Sequence, residues 1–159
     1  PRLAAESFLD KYFAQLEALL ESRLFDAVGH ADTLLRAIPE DVFLRRFEPL
    51  IAPLVRSGIA YELNASGLRK SSLHPTTGKE IAGRWSYPSR ALLEKLLRNN
   101  VPLTIGSDAH DPRDAGAGIA ELVEVLRPLG LQSIGYYQQR QRIDVLLDDL
   151  QFHTVPASR

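Results

Sequence analysis

Four short apolar runs, "LFDAVGH" (24–30), "IAYELNASG" (59–67), "VPLTIGS" (101–107) and "LQSIGYY" (131–137), alternate along the chain with stretches whose apolar residues recur at helical spacing. This alternation limits the possible folds more than any other feature. Runs without a polar face are what strands buried on both sides of a sheet require, and such strands pair in parallel. Parallel neighbours need a long crossover between them, and the intervening helices supply it. The order helix, strand, helix, strand, long loop, helix, strand, helix, strand therefore predicts an α/β fold. Four strands cannot close a barrel of eight, which leaves an open sheet or a piece of a barrel.

The helical stretches carry their own punctuation. In "LAAESFLDKYFAQLEALLES", Leu3, Phe8, Leu9, Tyr12, Phe13, Leu16 and Leu19 or Leu20 fall on one side of a helix. "EDVFLRRFEPLIAPLVRSG" keeps the rhythm, with Pro49 and Pro53 expected to kink or split it and Gly58 to cap it. "PSRALLEKLLRNN" has Pro88 and Ser89 at its start, and "RDAGAGIAELVEVLRPLG" reads as a further helix. "LRKSSLHPTTGKEIAGRWSYP" is too rich in Gly, Pro, Ser and Thr for regular structure, and loops of that length are commonly functional or disordered. "QQRQRIDVLLDDL" suits a strand running into a short helix, and residues 148–159 are expected to fray.

Composition narrows the chemistry. The chain has 159 residues, treated as a single domain, and no cysteine, which excludes disulfides, thiolate zinc sites and a cysteine nucleophile. A formal net charge of −1 gives no general field to attract nucleic acid or an anionic membrane. No apolar window approaches membrane-spanning length, so a cytoplasmic protein is expected. The chain begins with Pro and contains no Met, which is expected of a processed chain or a portion of a longer one.

The strand ends hold the candidate chemistry. The first run ends in His30 and Asp32, the second carries Glu62 and Asn64, and the third ends in Asp108 and His110. Residues two apart on a strand face the same way, and the C-terminal ends of parallel strands share one edge, where active sites form. The three pairs are therefore expected to converge. Imidazole with carboxylate suits zinc, manganese or iron in a hydrolytic site. The structural alternatives are Asp108 as a helix cap and Asp32 or Glu62 as a buried partner of an arginine. Arg69 and Lys70 follow the second strand, where they would clamp a phosphate or remain solvated. His74 is an ordinary loop histidine on this reading, Arg84 and Trp85 are candidates for a lid, and His153 is a tail residue. No P-loop, strand-following GxGxxG or GxSxG motif is present.

Assembled, "FDAVGHAD", "YELNASGLRK" and "YPSRALLEKLLRNNVPLTIGSDAHDPRDAG" resemble, in order and spacing, the C-terminal portion of the histidinol phosphatases of the polymerase and histidinol phosphatase (PHP) superfamily, from about Leu3 to Leu147. The resemblance implies a distorted, TIM-like barrel of seven strands with two or three zinc, iron or manganese ions at its C-terminal edge and no organic cofactor. It implies hydrolysis of L-histidinol phosphate to L-histidinol and phosphate in histidine biosynthesis. Carried over, His30, Asp108 and His110 are metal ligands and Asp108 is the catalytic candidate, while Glu62, Asn64 and Arg69 line the substrate. The family's N-terminal His-x-His motif has no counterpart in this sequence, so the chain is expected to lack the first strands of the barrel and to be a weak enzyme alone. Two other readings stand beside this one: a PHP-type phosphoesterase acting on nucleotides or nucleic-acid ends, and a non-catalytic half-fold that pairs with another chain. A small phosphomonoester is the expected partner, and the oligomeric state is left open.

Overall fold

The computed structural model describes residues 2–73, 80–82 and 88–151. His74, Arg84, Trp85 and His153 lie outside them. The order is α1 (Arg2–Ser22), β1 (Ala27–Val28), α2 (Glu40–Phe47), α3 (Ile51–Ser57), β2 (Ala60–Asn64), β3 (Ser71–Leu73), β4 (Glu80–Ala82), α4 (Arg90–Arg98), β5 (Leu103–Gly106), α5 (Ile119–Leu126), β6 (Ser133–Gln138) and β7 (Gln141–Leu146), with short 3-10 turns between them. None of the described helices is long and apolar enough to cross a membrane.

Strands β1, β2, β5 and β6 pair in parallel, and β7 returns antiparallel to β6, giving a five-stranded sheet ordered β1-β2-β5-β6-β7. The expected α/β class and parallel pairing are both present. Spatial order follows chain order with no reversal, so right-handed crossovers put the connecting helices on one face. That differs from a doubly wound sheet, where the order reverses partway. The buried residues agree: Leu9, Phe13, Leu16 and Leu20 of α1, Phe43 and Phe47 of α2, Leu54 of α3, Leu92 and Leu96 of α4 and Leu122 and Leu126 of α5 form one cluster with Val28, Tyr61, Leu63, Leu103 and Ile134 of the sheet. A column of rings, Phe13 to Phe43 at 5.6 Å, Phe43 to Phe47 at 5.5 Å and Phe47 to Tyr61 at 5.9 Å, ties α1 and α2 to β2.

Several local expectations need correction. Phe8 is 55% exposed, because the face of α1 that packs is set by Leu9, Phe13, Leu16 and Leu20. Pro49 does split the second helical stretch, through a 3-10 turn at Glu48–Leu50, but Pro53 sits in the first turn of α3, where its missing N–H is no loss. Gly58 caps α3 with φ 68°, a left-handed geometry that suits glycine. Ser89 is the N-cap of α4, and Pro88 precedes it outside the helix. Only Ile119–Leu126 of the fourth expected helix is α-helical, since Pro112–Asp114 forms a separate 3-10 turn.

The long loop contains a two-stranded antiparallel ribbon, β3 with β4, which sequence periodicity did not show. At the far edge, the β6–β7 hairpin brings Arg140 to the start of β1, where its Nε lies 3.3 Å from Asp26 and its Nη2 donates to the Arg23 carbonyl at 3.1 Å. Beyond β7, Leu147–Asp149 forms a 3-10 turn, so the first residues of the expected frayed segment are folded.

Candidate functional site

The site starts with what alternation does to β2. Tyr61 and Leu63 face the helices, so Glu62 and Asn64 project from the opposite side, toward the C-terminal ends of β1 and β5. This pair shares a face, as the spacing requires. Asn64 is fully buried, and both ends of its amide are engaged. Its Nδ2 donates to Glu62 Oε2 at 3.0 Å, and its Oδ1 accepts from the Ser66 N–H at 2.9 Å, capping the 3-10 turn Ala65–Leu68. The same Glu62 oxygen accepts from the His30 backbone N–H at 3.2 Å. The ends of β1 and β2 are thus drawn together around one carboxylate.

His30 and Asp108, just past β1 and β5, are non-glycine residues with positive φ, 29° and 49°. Such backbone costs roughly 1 kcal/mol for a residue with a Cβ, and it gathers at places where a side chain must be aimed.

The Asp108 carboxylate is the most engaged group at the edge. Its Oδ2 accepts from Ser66 Oγ at 2.8 Å and from Lys70 Nζ at 3.2 Å, and its Oδ1 lies 3.8 Å from His110 Nδ1. Burial alone would raise its pKa. The Ser66 hydroxyl, the Lys70 hydrogen bond and charge, and the nearby His30 outweigh that, so the carboxyl titrates below its ordinary value. It caps no helix, because the following turn is capped by Asp111. His110 is 86% exposed.

Asp32 behaves differently from its partner in the expected pair. The chain has left β1 by residue 29, so the two-residue rule for strands no longer holds, and His30 and Asp32 part ways. Asp32 is fully buried and accepts from the Tyr61 hydroxyl at 2.9 Å and from the Ser89 N–H at 3.1 Å. Desolvation pushes its carboxyl up to about 6, against the lowering effects of Tyr61, backbone N–H groups and His30. Among the described residues no arginine pairs with Asp32 or with Glu62.

Arg69 ties loops together. Its Nη1 donates to the Ala117 carbonyl at 2.8 Å and its Nη2 to the Ser107 carbonyl at 2.7 Å, while its Nε lies 4.0 Å from Asp114. Lys70 is the cation beside Asp108.

The structure therefore brings His30, Glu62, Asn64, Asp108 and His110 to one edge, and adds Ser66 and Lys70 to them. The role of Ser66 was not legible, although Asn-x-Ser after a strand is the pattern of a side-chain-capped turn. The donor set expected for metal does not assemble into a site by itself. Among the described residues no three His, Cys, Asp or Glu side chains gather closely enough to hold an ion.

Comparison with known proteins adds one relation. The chain is 26% identical over 134 residues to the probable histidinol-phosphatase of Deinococcus radiodurans, an alignment covering 82% of this chain and 46% of that protein. The chain thus spans about half the length of the curated relative it matches. No family model matches the chain.

Proposed function

We propose that this chain carries part of the active site of a phosphomonoesterase of the histidinol-phosphatase kind, with L-histidinol phosphate as substrate and water as the attacking group. The observation that carries the reading is the coincidence of that relative with an edge where Asp108, Lys70, Ser66, His30 and His110 meet. The singly wound, mainly parallel sheet is what a portion of a TIM-like barrel would look like, and the strand ends that bear these residues are where such barrels work.

On this reading Lys70 neutralises charge on the phosphoryl oxygens. Asp108, held ionised by its neighbours, accepts a hydrogen bond from the attacking water and orients it. As the water oxygen bonds to phosphorus and gives up one proton to solvent, the phosphorus–ester oxygen bond breaks and the leaving alkoxide takes a proton from solvent, to which the edge is open at His110. Arg69 acts through the loops it fastens, holding the Ser107 carbonyl next to Asp108.

Metal dependence belongs to the same proposal. His30, Asp108 and His110 supply part of a donor set for zinc, iron or manganese, and the rest would come from outside the described residues. The test is phosphate release from L-histidinol phosphate by this chain, and by a version extended to the relative's length, each with and without added divalent metal. Asp108→Asn should abolish release with the far-ultraviolet spectrum unchanged. Undiminished release in that variant, or no release from either protein, refutes the reading.

A further inference from the structure

The Glu62 carboxylate occupies space that only glycine leaves open. A β-carbon on Gly106, across β5, would overlap Oε1 and lie 3.3 Å from Cδ, and one on Gly29, past β1, would lie 3.1 Å from Oε2. Neither glycine has the positive φ that would require it for backbone reasons. Both neighbours of β2 are therefore bare where this side chain lies across them. Its two oxygens are unequally served. Oε2 accepts two neutral N–H groups, from His30 and Asn64, whereas Oε1 accepts no hydrogen bond among the described residues.

No cationic nitrogen of the described residues lies within ion-pair distance of Glu62, although the neighbouring Asp108 has Lys70. A half-buried carboxylate held in one orientation, with one oxygen unbonded and no countercharge among the described residues, is arranged for a cation that arrives from outside. A metal ion needs several oxygen or nitrogen donors around it. An ammonium needs one charged acceptor and room for its remaining protons.

We propose that Glu62 is a specificity-determining residue that binds the ammonium group of an aminoalkyl phosphate, with Gly29 and Gly106 as the clearance that holds its carboxylate in place. This rests on the phosphomonoesterase reading, because Lys70 and Asp108 then take the phosphoryl end while Glu62 takes the amine. L-histidinol phosphate belongs to that chemical class.

The experiment is calorimetric titration of the native chain, Glu62→Gln and Gly106→Ala with ethyl phosphate, O-phosphoethanolamine and ethanolamine. The native protein should bind O-phosphoethanolamine on the order of ten-fold more tightly than ethyl phosphate. Both variants should lose that preference while their affinity for ethyl phosphate stays the same. Glutamine keeps an acceptor for the His30 N–H, and alanine at 106, with no positive φ to strain it, displaces only the end of the Glu62 side chain, so both variants should fold.

A preference that survives in Glu62→Gln, or none in the native chain, overturns the proposal. So does Mn2+ binding that disappears in Glu62→Gln, since that would put a metal at this carboxylate. Ethanolamine binding that depends on Glu62, with neither ester bound, keeps the cation pocket and refutes the phosphatase reading. Ester binding without regard to the amine does the reverse. No binding by any of the three probes overturns both.

Discussion

Asp32 offers a test of the buried architecture beneath the site. Its carboxylate is fully buried and joins three elements, receiving the Tyr61 hydroxyl from β2 and the Ser89 N–H from the start of α4 while sitting in the turn after β1. Desolvation holds its pKa at about 6 in the fold against an ordinary 3.8. A tenfold shift in proton affinity corresponds to about 1.4 kcal/mol, so ionising this group costs the folded state about 3 kcal/mol relative to the unfolded chain. The sign follows from which state binds the proton more tightly. The fold does, so the stability linked to Asp32 is fully present below about pH 3.8 and is lost as pH rises to about 6.

Other carboxylates act in the opposite direction. Asp108 and Asp111 both have lowered values and lose stability as pH falls. The Asp32 contribution is therefore isolated by subtracting Asp32→Asn from the native protein at each pH, which cancels groups common to both. Asparagine can accept from only one of the two donors, which adds a pH-independent cost of about 1–3 kcal/mol to the variant. Urea unfolding at intervals from about pH 3.5 to 7.5 should show the native protein losing about 3 kcal/mol relative to the variant across the window, then no further change. A flat difference, or one that grows in favour of the native protein as pH rises, would refute the claim that the buried carboxylate resists ionisation.

Two further outcomes follow from single contacts. Ser89→Ala removes the hydroxyl that accepts from the Leu92 N–H at 3.4 Å and should lower stability by about 1 kcal/mol, read by urea midpoint, with Ser89→Gly costing less. Arg69→Ala unfastens the Ser107 and Ala117 carbonyls and should cost about 1–2 kcal/mol. Arg69→Lys should restore little of it, because one ammonium cannot reproduce the guanidinium fork; full recovery by lysine would show that charge alone matters there.

Much of the architecture was set by local pattern. Period and length were enough for α1, α4 and the four parallel strands, because strands that pack against helices carry dense apolar runs and helical amphipathicity forces its own spacing. Gly58 as a cap was equally legible. The strand-end location of Glu62, Asn64, Asp108 and His110 followed from the rule that parallel strands share an edge. The strand and short helix expected in residues 138–150 are present as β7 and the turn Leu147–Asp149; the antiparallel direction of β7 and the β3–β4 ribbon were not legible, since direction leaves no mark in a period and the ribbon's short polar strands carry too few apolar residues for one to show.

Tertiary structure alone decided what each polar residue does at that edge. Asp32 and His30 are two positions apart in sequence, yet the turn after β1 sends one beneath the sheet to Tyr61 and leaves the other at the rim. Arg69 and Lys70 are adjacent, and the 3-10 turn before them sends Arg69 to backbone carbonyls and Lys70 to Asp108. Gly29 and Gly106 look like ordinary turn residues until β2 lays Glu62 between them. A sequence records which groups are available and their spacing along one element. Which partner each group meets depends on distances across strands and turns, and those exist only once the sheet has formed.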